Sequence, residues 1–332
     1  MKAILVNDDR RLRWDDVPDP VMGEDDCLIK IEAAAVNRAD LMQREGDYPP
    51  PPGCPERMGL EIAGTIVDIA DGAKKKSRWI KSRFKIGDKV CALLGGGGYA
   101  QYANVKYDML MPVPENCTVT EAAAIPEAFA TAYLNLFIEG RMKAGDTVLV
   151  TGGNSGLASV IIPMARAFGA RVITTVRNDA KAEAVSHLKA DRVIVTDRED
   201  LAAALREELD AGHPVDIAID CLGGDVMGRC LHYLARGARW IMIAALAGVK
   251  TEIDLKNIYV RNVRIIGSTL RSRAPEVKAE ILSSLVRDVW GKVSSGEIRP
   301  TIFKVLPITE AEAAHDLLYT SQSVGKVVMT VE

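Results

Sequence analysis

From Thr147 onward the chain alternates short apolar runs with segments of helical length, and that alternation leaves few folds open. β-Branched, apolar runs near 147–151, 171–176, 192–195, 215–220, 238–243 and 263–267 read as strands, with helices between most of them. A helix inserted between two strands carries the chain back across the sheet, so successive strands lie parallel with helices on both faces. Six such strands predict a doubly wound α/β domain, open at the carboxyl ends of its strands.

The chain has 332 residues, enough for about two domains. The first 110 or so residues have a different texture, with short β-branched runs (29–31, 64–69, 89–92) set between Pro and Gly clusters, as in a strand-and-turn domain. From Thr120 to Gly140 the sequence is Ala-rich with helical apolar spacing. Beyond Arg273, a helical stretch over about 275–295, a strand at 302–306, a helix from Thr309 and a strand at 326–331 do not continue the alternation.

Composition narrows the function classes. With 42 basic and 45 acidic side chains and a pI near 5.9, there is no overall electrostatic pull toward nucleic acid or anionic membrane. The apolar start Met1–Val6 is too short for a signal peptide, and no run approaches the roughly 20 apolar residues of a membrane span, so a cytoplasmic protein is expected. The six cysteines are scattered with no CxxC pair, which predicts reduced and mostly buried thiols. The four histidines fall in separate, mostly helical segments and are expected at the surface or its boundary, none as a catalytic base.

The strand ending at Thr151 runs directly into Gly152-Gly153-Asn154-Ser155-Gly156-Leu157-Ala158 and then an apolar helix. A helix N-terminus in that position offers N–H groups and a positive dipole end to a pyrophosphate. Gly153 supplies the tight turn, Ser155 stands in the place of a second glycine, Gly156 allows close approach, and Ala158 fills the small third position. The second strand ends in Arg177, with Lys181 one turn further on. Two cations there suit the 2′-phosphate of NADPH, whereas an acidic residue would suit NADH. Asp179 is expected to cap the following helix.

Several segments together carry a family resemblance: Val36-Asn37-Arg38-Ala39-Asp40-Leu41, Tyr48 in its Pro-rich turn, Gly59-Leu60-Glu61, Ala122–Glu127, Gly153–Ala158 and Leu270–Arg273. In this order and over nearly the whole length the chain resembles the zeta-crystallin-type quinone oxidoreductases of the medium-chain dehydrogenase/reductase superfamily, in particular their tumour-suppressor-inducible branch. The resemblance implies a GroES-like β-rich catalytic domain at 1–121, a Rossmann dinucleotide-binding domain at 122–270, and a return to the first domain at 271–332. It implies a nicotinamide cofactor held by Gly153, Asn154, Ser155, Gly156, Leu157, Arg177 and Lys181. Thr196, where relatives often have tyrosine, is placed there too, along with Cys221, Ala245, Leu246, Leu270 and Arg271. Asn37, Asp40 and Tyr48 are the residues it places around substrate and nicotinamide, as amide donor, polar organiser and phenolic donor or aromatic wall.

Zinc enzymes of that superfamily place Cys, His and Cys on their catalytic metal, and the matching positions here read Asn37, Leu60 and Glu127. Leucine cannot bind zinc, and the soft donors are absent, so metal-free hydride transfer to a quinone is the expected chemistry. An enone or enoyl-thioester reductase is the alternative, and a nucleotide-gated RNA-binding or structural protein is the alternative of another class. The resemblance also implies a homodimer joined through the edge strand near Val263–Gly267. The stretch 74–85, rich in lysine and arginine and without an acidic residue, is longer than the family's turn; a solvated loop and a docking site for an acidic partner or nucleic acid, helped by Trp79 and Phe84, are both open there.

Overall fold

The computed structural model describes residues 1–75, 84–320 and 323–332. In chain order its strands are β1 (Lys2–Val6), β2 (Leu12–Asp16), β3 (Asp26–Val36), β4 (Glu61–Ile69), β5 (Lys89–Leu93), β6 (Tyr102–Lys106), β7 (Leu110–Pro112), β8 (Thr147–Val150), β9 (Arg171–Val176), β10 (Arg192–Val195), β11 (Val215–Asp220), β12 (Leu234–Met242), β13 (Arg264–Gly267), β14 (Ile302–Pro307) and β15 (Lys326–Thr330). Two units are formed: Met1–Ala130 with Arg271–Gly296 and Pro300–Glu332, and Thr131–Leu270 with Glu297–Arg299. The short helix Val119–Ala122 packs on β3, β4 and β5, so the Ala-rich stretch from Thr120 is shared between the units. Most of the basic stretch, 76–83, lies outside the described residues.

In the first unit the sheet order is β14-β15-β3-β4-β5-β7, with β6 also paired to β3. The long strand β3 shows how context overrides propensity. Cys27, Ile29 and Ile31 point into the core while Leu28, Lys30 and Glu32 alternate outward; then Ala33, Ala34, Ala35 and Val36 are all buried. These last four pair with β15, and Ala33 and Ala34 also pair with β4, so small side chains are needed where strands close on both sides. An alanine run that favours helix in isolation is therefore held extended.

The second unit is a six-stranded parallel sheet of order β10-β9-β8-β11-β12-β13. Its core gathers Leu149, Ile173, Ile194, Ala218, Leu231 and Trp240. The chain runs outward from β8 to β10, then returns to β11 beside β8 and runs outward the other way. The carboxyl ends of β8 and β11 thus flank the point where strand order reverses, the place where such sheets bind ligands. β12 starts four residues before the expected 238, because Val215 pairs with Leu234 and the register then jumps to Ile217 with Arg239. Gly237 at φ +80° makes that irregularity possible and hides the strand's start from its pattern. Among the described residues no helix is long and apolar enough to cross a membrane.

Candidate active site

β3 ends at Val36, and Asn37 in extended conformation opens the helix Arg38–Glu45, which Gly46 closes at φ +86°. The Asp40 carboxylate reaches back to accept the Asn37 N–H at 2.9 Å, the acidic half of a capping box. The Asn37 side chain turns the other way. Its Nδ2 donates to Glu61 Oε1 at 2.9 Å, and its Oδ1 accepts from Lys326 Nζ at 2.6 Å. Lys326 Nζ also lies 2.5 Å from Glu61 Oε1, closing a ring of lysine, amide and carboxylate. Glu61 Oε2 accepts the Glu127 N–H at 2.8 Å, at the start of the helix Pro126–Tyr133. Glu61 is fully buried and Lys326 is 4% exposed, so each is the other's counter-charge out of water. The amide therefore has a fixed orientation, and one of its hydrogens is already committed to Glu61.

Asp40 is fully buried, and both of its oxygens serve the protein itself. One accepts from Asn37 N and the other from Gly59 N at 3.0 Å, while the Tyr99 hydroxyl also bonds to the carboxylate. Gly59 sits at φ +104°, where a Cβ would lie 2.4 Å from Tyr99 N, so only glycine fits this turn. Burial raises the Asp40 carboxyl to about 6 against these hydrogen bonds and the nearby Lys326 charge. Asp40 organises the Asn37 and Gly59 turns and does not present itself to a substrate. Tyr99 continues the chain of polar groups to His315 Nε2 at 3.3 Å. His315, expected near the surface, is 1% exposed and is a correction: the helix Ala311–Tyr319 turns that face onto the sheet, and burial pushes the imidazole down to about 3.

Tyr48 is half-buried, and desolvation raises its phenol above the ordinary value, so the hydroxyl keeps its proton at neutral pH. The Arg271 guanidinium lies 5.2 Å from the centre of the Tyr48 ring. Lys326 and Tyr99, and the partnerships of Glu61 with Lys326 and of Arg271 with Tyr48, gave no sequence signal of their own. Each is one charged or aromatic residue in an apolar or glycine-rich segment.

In the second unit the loop after β8 packs against the next strand. Gly153 N donates to Thr175 O at 2.7 Å, and a Cβ on Gly153 would lie 2.4 Å from Thr174 Oγ1. Ser155 Oγ accepts from Ala158 N at 3.1 Å, so the serine serves as a local cap for the helix Ala158–Ala167. Asn154, Gly156 and Leu157 lie on the same turn. Arg177 follows β9 and is exposed; Asn178, not Asp179, caps the next helix by accepting from Lys181 N, while Asp179 pairs with Arg198. Thr196 follows β10, where its N–H bonds to Val176 O and the next N–H bonds to Arg177 O. Arg177, Lys181 and Thr196 thus occupy one corner of the sheet's carboxyl edge.

Across the reversal point, Cys221 N donates to Thr151 Oγ1 at 3.0 Å and Cys221 O accepts from Leu246 N. Ala245 and Leu246 belong to a turn laced to Cys221–Gly224, since Ala247 N bonds to Leu222 O and Gly224 N to Gly248 O. Beneath both turns lies Asp220, fully buried, accepting from Thr151 Oγ1, Leu222 N, Gly223 N and Trp240 Nε1. Sequence reading passed over Asp220, which holds the loops after β8 and β11 together. Leu270 is buried at the end of this unit, whereas Arg271 belongs to the other.

This edge fits a dinucleotide: a tight glycine turn into a helix N-terminus at the reversal point, with cations after the second strand. The Asn37 cluster does not fit zinc. Leu60 offers only hydrocarbon, the oxygens of Asn37 and Glu61 are held by the chain's own ammonium group, and among the described residues no three His, Cys, Asp or Glu are grouped to hold a metal ion. None of the six cysteines is joined in a disulfide.

Two family models match in order: an alcohol dehydrogenase GroES-like domain over residues 23–115 and a zinc-binding dehydrogenase over 156–287. The chain is 28% identical over 317 residues to the quinone oxidoreductase of Mus musculus, covering 95% of this chain and 92% of that one. It is 29% identical over 323 residues to the highly reducing polyketide synthase cm3B of Cordyceps militaris, covering 96% of this chain but only 12% of that protein's length. Among solved structures, a mycobacterial quinone oxidoreductase superposes with a TM-score of 0.84 at 27% identity, over 99% of both chains. With a GroES-like unit followed by a Rossmann sheet and full-length likeness to quinone oxidoreductases, the chain belongs to the medium-chain dehydrogenase/reductase superfamily, an oxidoreductase family that binds a nicotinamide cofactor.

Proposed function

We propose that this chain is an NADPH-dependent reductase that transfers hydride to quinones without a metal. The observation that carries the reading is the Lys326 ammonium seated on Asn37 Oδ1, at a position where a zinc enzyme carries a metal ligand, and on Glu61 Oε1 next to the leucine at a second such position. Without a Lewis acid to ionise an alcohol, the favoured acceptor is one that spreads incoming negative charge over its own π-system. The bound cofactor supplies the hydride. Arg177 and Lys181 hold the 2′-phosphate, and the Gly153–Leu157 turn holds the pyrophosphate. Tyr48 forms an aromatic wall for a flat acceptor, and its protonated hydroxyl or water supplies the proton that completes the hydroquinone. Asn37 contributes at most its second amide hydrogen, which would have to leave the Ala35 carbonyl, 3.5 Å from Nδ2.

A second reading, reduction of an enone or enoyl thioester, is favoured by the match to a reducing polyketide synthase. Following NADPH absorbance with a quinone, an enone and an enoyl thioester separates the two. Quinone turnover at least about tenfold above the others in kcat/KM supports the first reading, and turnover of the thioester alone replaces it with the second. The RNA-binding alternative rests on the 74–85 stretch, where Phe84 is buried against Tyr107 and is not offered to a base.

We also infer a homodimer in the cytoplasm. β13 ends the sheet and pairs on one side only among the described residues, and Ile265, Leu255 and Tyr259 are exposed beside it. A monomeric mass at micromolar concentration by light scattering would count against pairing through that edge.

A further inference from the structure

Arg271 is the first residue of the segment that returns to the first unit, and at 4% exposure it is among the few fully enclosed charges of that unit. A buried guanidinium needs acceptors for its five N–H groups, and the acceptors here are all the chain's own. Nε and Nη2 donate to Gly95 O at 3.0 and 2.8 Å, Nη1 donates to Tyr48 O at 3.3 Å, and Nη2 donates to Gln43 Oε1 at 2.6 Å. Three segments meet on one planar group: the helix Arg38–Glu45, the Pro-rich turn and the glycine loop after β5. The same guanidinium lies against the Tyr48 ring, 5.2 Å from its centre. Its own backbone is held as well, since buried Lys278 donates Nζ to Arg271 O at 3.3 Å.

We propose that Arg271 is a positioning residue for Tyr48: a planar clamp that fixes the tyrosine's carbonyl and ring together and so sets the width of the acceptor site. This rests on the reading of Tyr48 as the acceptor's wall. The Tyr48–Gly53 turn is stiff from its prolines, but stiffness alone leaves the turn free to hinge as a body. The clamp removes that freedom, because the carbonyl and ring of one residue are tied to a group that is anchored on Gly95 and Gln43. Charge alone does not suffice. A lysine has one donor centre and cannot span Gly95, Gln43 and Tyr48 in a plane.

The test uses the full chain with 3-fluorotyrosine in place of its eight tyrosines, the Tyr48 fluorine line being identified by its loss in Tyr48→Phe. Arg271→Met and Arg271→Lys are both expected to move the Tyr48 line. Each should raise the KM for a flat quinone by about tenfold, with the KM for NADPH changed less than about twofold. A lysine variant that keeps the parent line and KM would overturn the clamp, as would an unmoved line with a raised KM for NADPH. Should both Arg271 variants fail to fold, Gln43→Met removes a single leg of the clamp and is expected to move the same line by less; no movement there overturns the proposal. The fluorine measurement needs no turnover, so it decides the clamp even if no quinone is reduced.

Discussion

Replacing His315 with leucine is expected to make the protein more resistant to acid. In the native state the imidazole is held down to about 3 by burial, and in the unfolded chain it returns to its ordinary 6.5. A depressed base contributes stability that is present above the unfolded value and is lost as pH falls through the window from 6.5 toward 3. Asp40 works in the opposite sense. Its carboxyl is raised from 3.8 to about 6, so the folded state takes up a proton first, and its contribution is lost as pH rises through that window. Each slope is about 1.4 kcal/mol per pH unit, and between pH 4 and 6 the two nearly cancel in the parent. His315→Leu leaves the Asp40 slope alone. Relative to the parent, the variant should gain about 3 kcal/mol on going from pH 7 to pH 4. At pH 7 the direct effect should stay within about 1 kcal/mol: the hydrogen bond to Tyr99 is lost, but so is a buried Nδ1 with no partner among the described residues. Urea unfolding of both proteins at pH 4, 5, 6 and 7 reads the difference directly. A parent-to-variant difference that does not change with pH would refute the assignment of His315 as a neutral buried base.

Lys326→Met strips Glu61 of its counter-charge and should destabilise by about 3–5 kcal/mol in denaturant unfolding. Adding Glu61→Gln should recover most of that, and a double variant as unstable as the single one would mean that charge is not the cause. Arg177→Ala and Lys181→Ala should each raise the KM for NADPH by about 10- to 100-fold and that for NADH less than about twofold; equal losses would place the 2′-phosphate elsewhere. Purified protein should hold no stoichiometric zinc and keep its turnover in strong chelators, which metal analysis and assay in chelator check together. Tyr48→Phe should lower quinone turnover by less than about tenfold, because the acceptor spreads its own charge and water can protonate it, whereas enones should suffer more and Tyr48→Ala should impair both.

The second unit was legible from periodicity because its strands are buried on both faces and bounded by glycine, so that β8 to β11 lie within a residue of where the apolar runs place them. The first unit was less so. β3 carries three alanines through its buried half, and a single-residue pattern cannot show that β15 will arrive some 290 positions later to pair with them. The helical reading after Thr120 gave no hint that the chain would close five-residue turns over Leu134–Glu139, where Gly140 N bonds to Asn135 O.

The candidate site divides along the same line between local and distant partners. Asn37 and Asp40 are three residues apart, and a helix start brings them together by geometry alone. Lys326 stands 289 residues from Asn37, and nothing in Gly325-Lys326-Val327-Val328 distinguishes a buried cation from a lysine at a strand's mouth. Yet without it the site's charges cannot be understood. Two carboxylates, Asp40 and Glu61, are fully buried within one small region of the first unit, and one ammonium group is available to both. The ammonium sits in direct contact with Glu61 and reaches Asp40 only through space. Glu61 is thereby held directly between Asn37 and Lys326. Asp40, left with backbone N–H groups and a tyrosine hydroxyl, carries the desolvation that the distant charge does not offset, and its carboxyl rises to about 6. The placement of one strand thus decides which carboxyl fixes the amide and which bears its burial without a direct counter-charge.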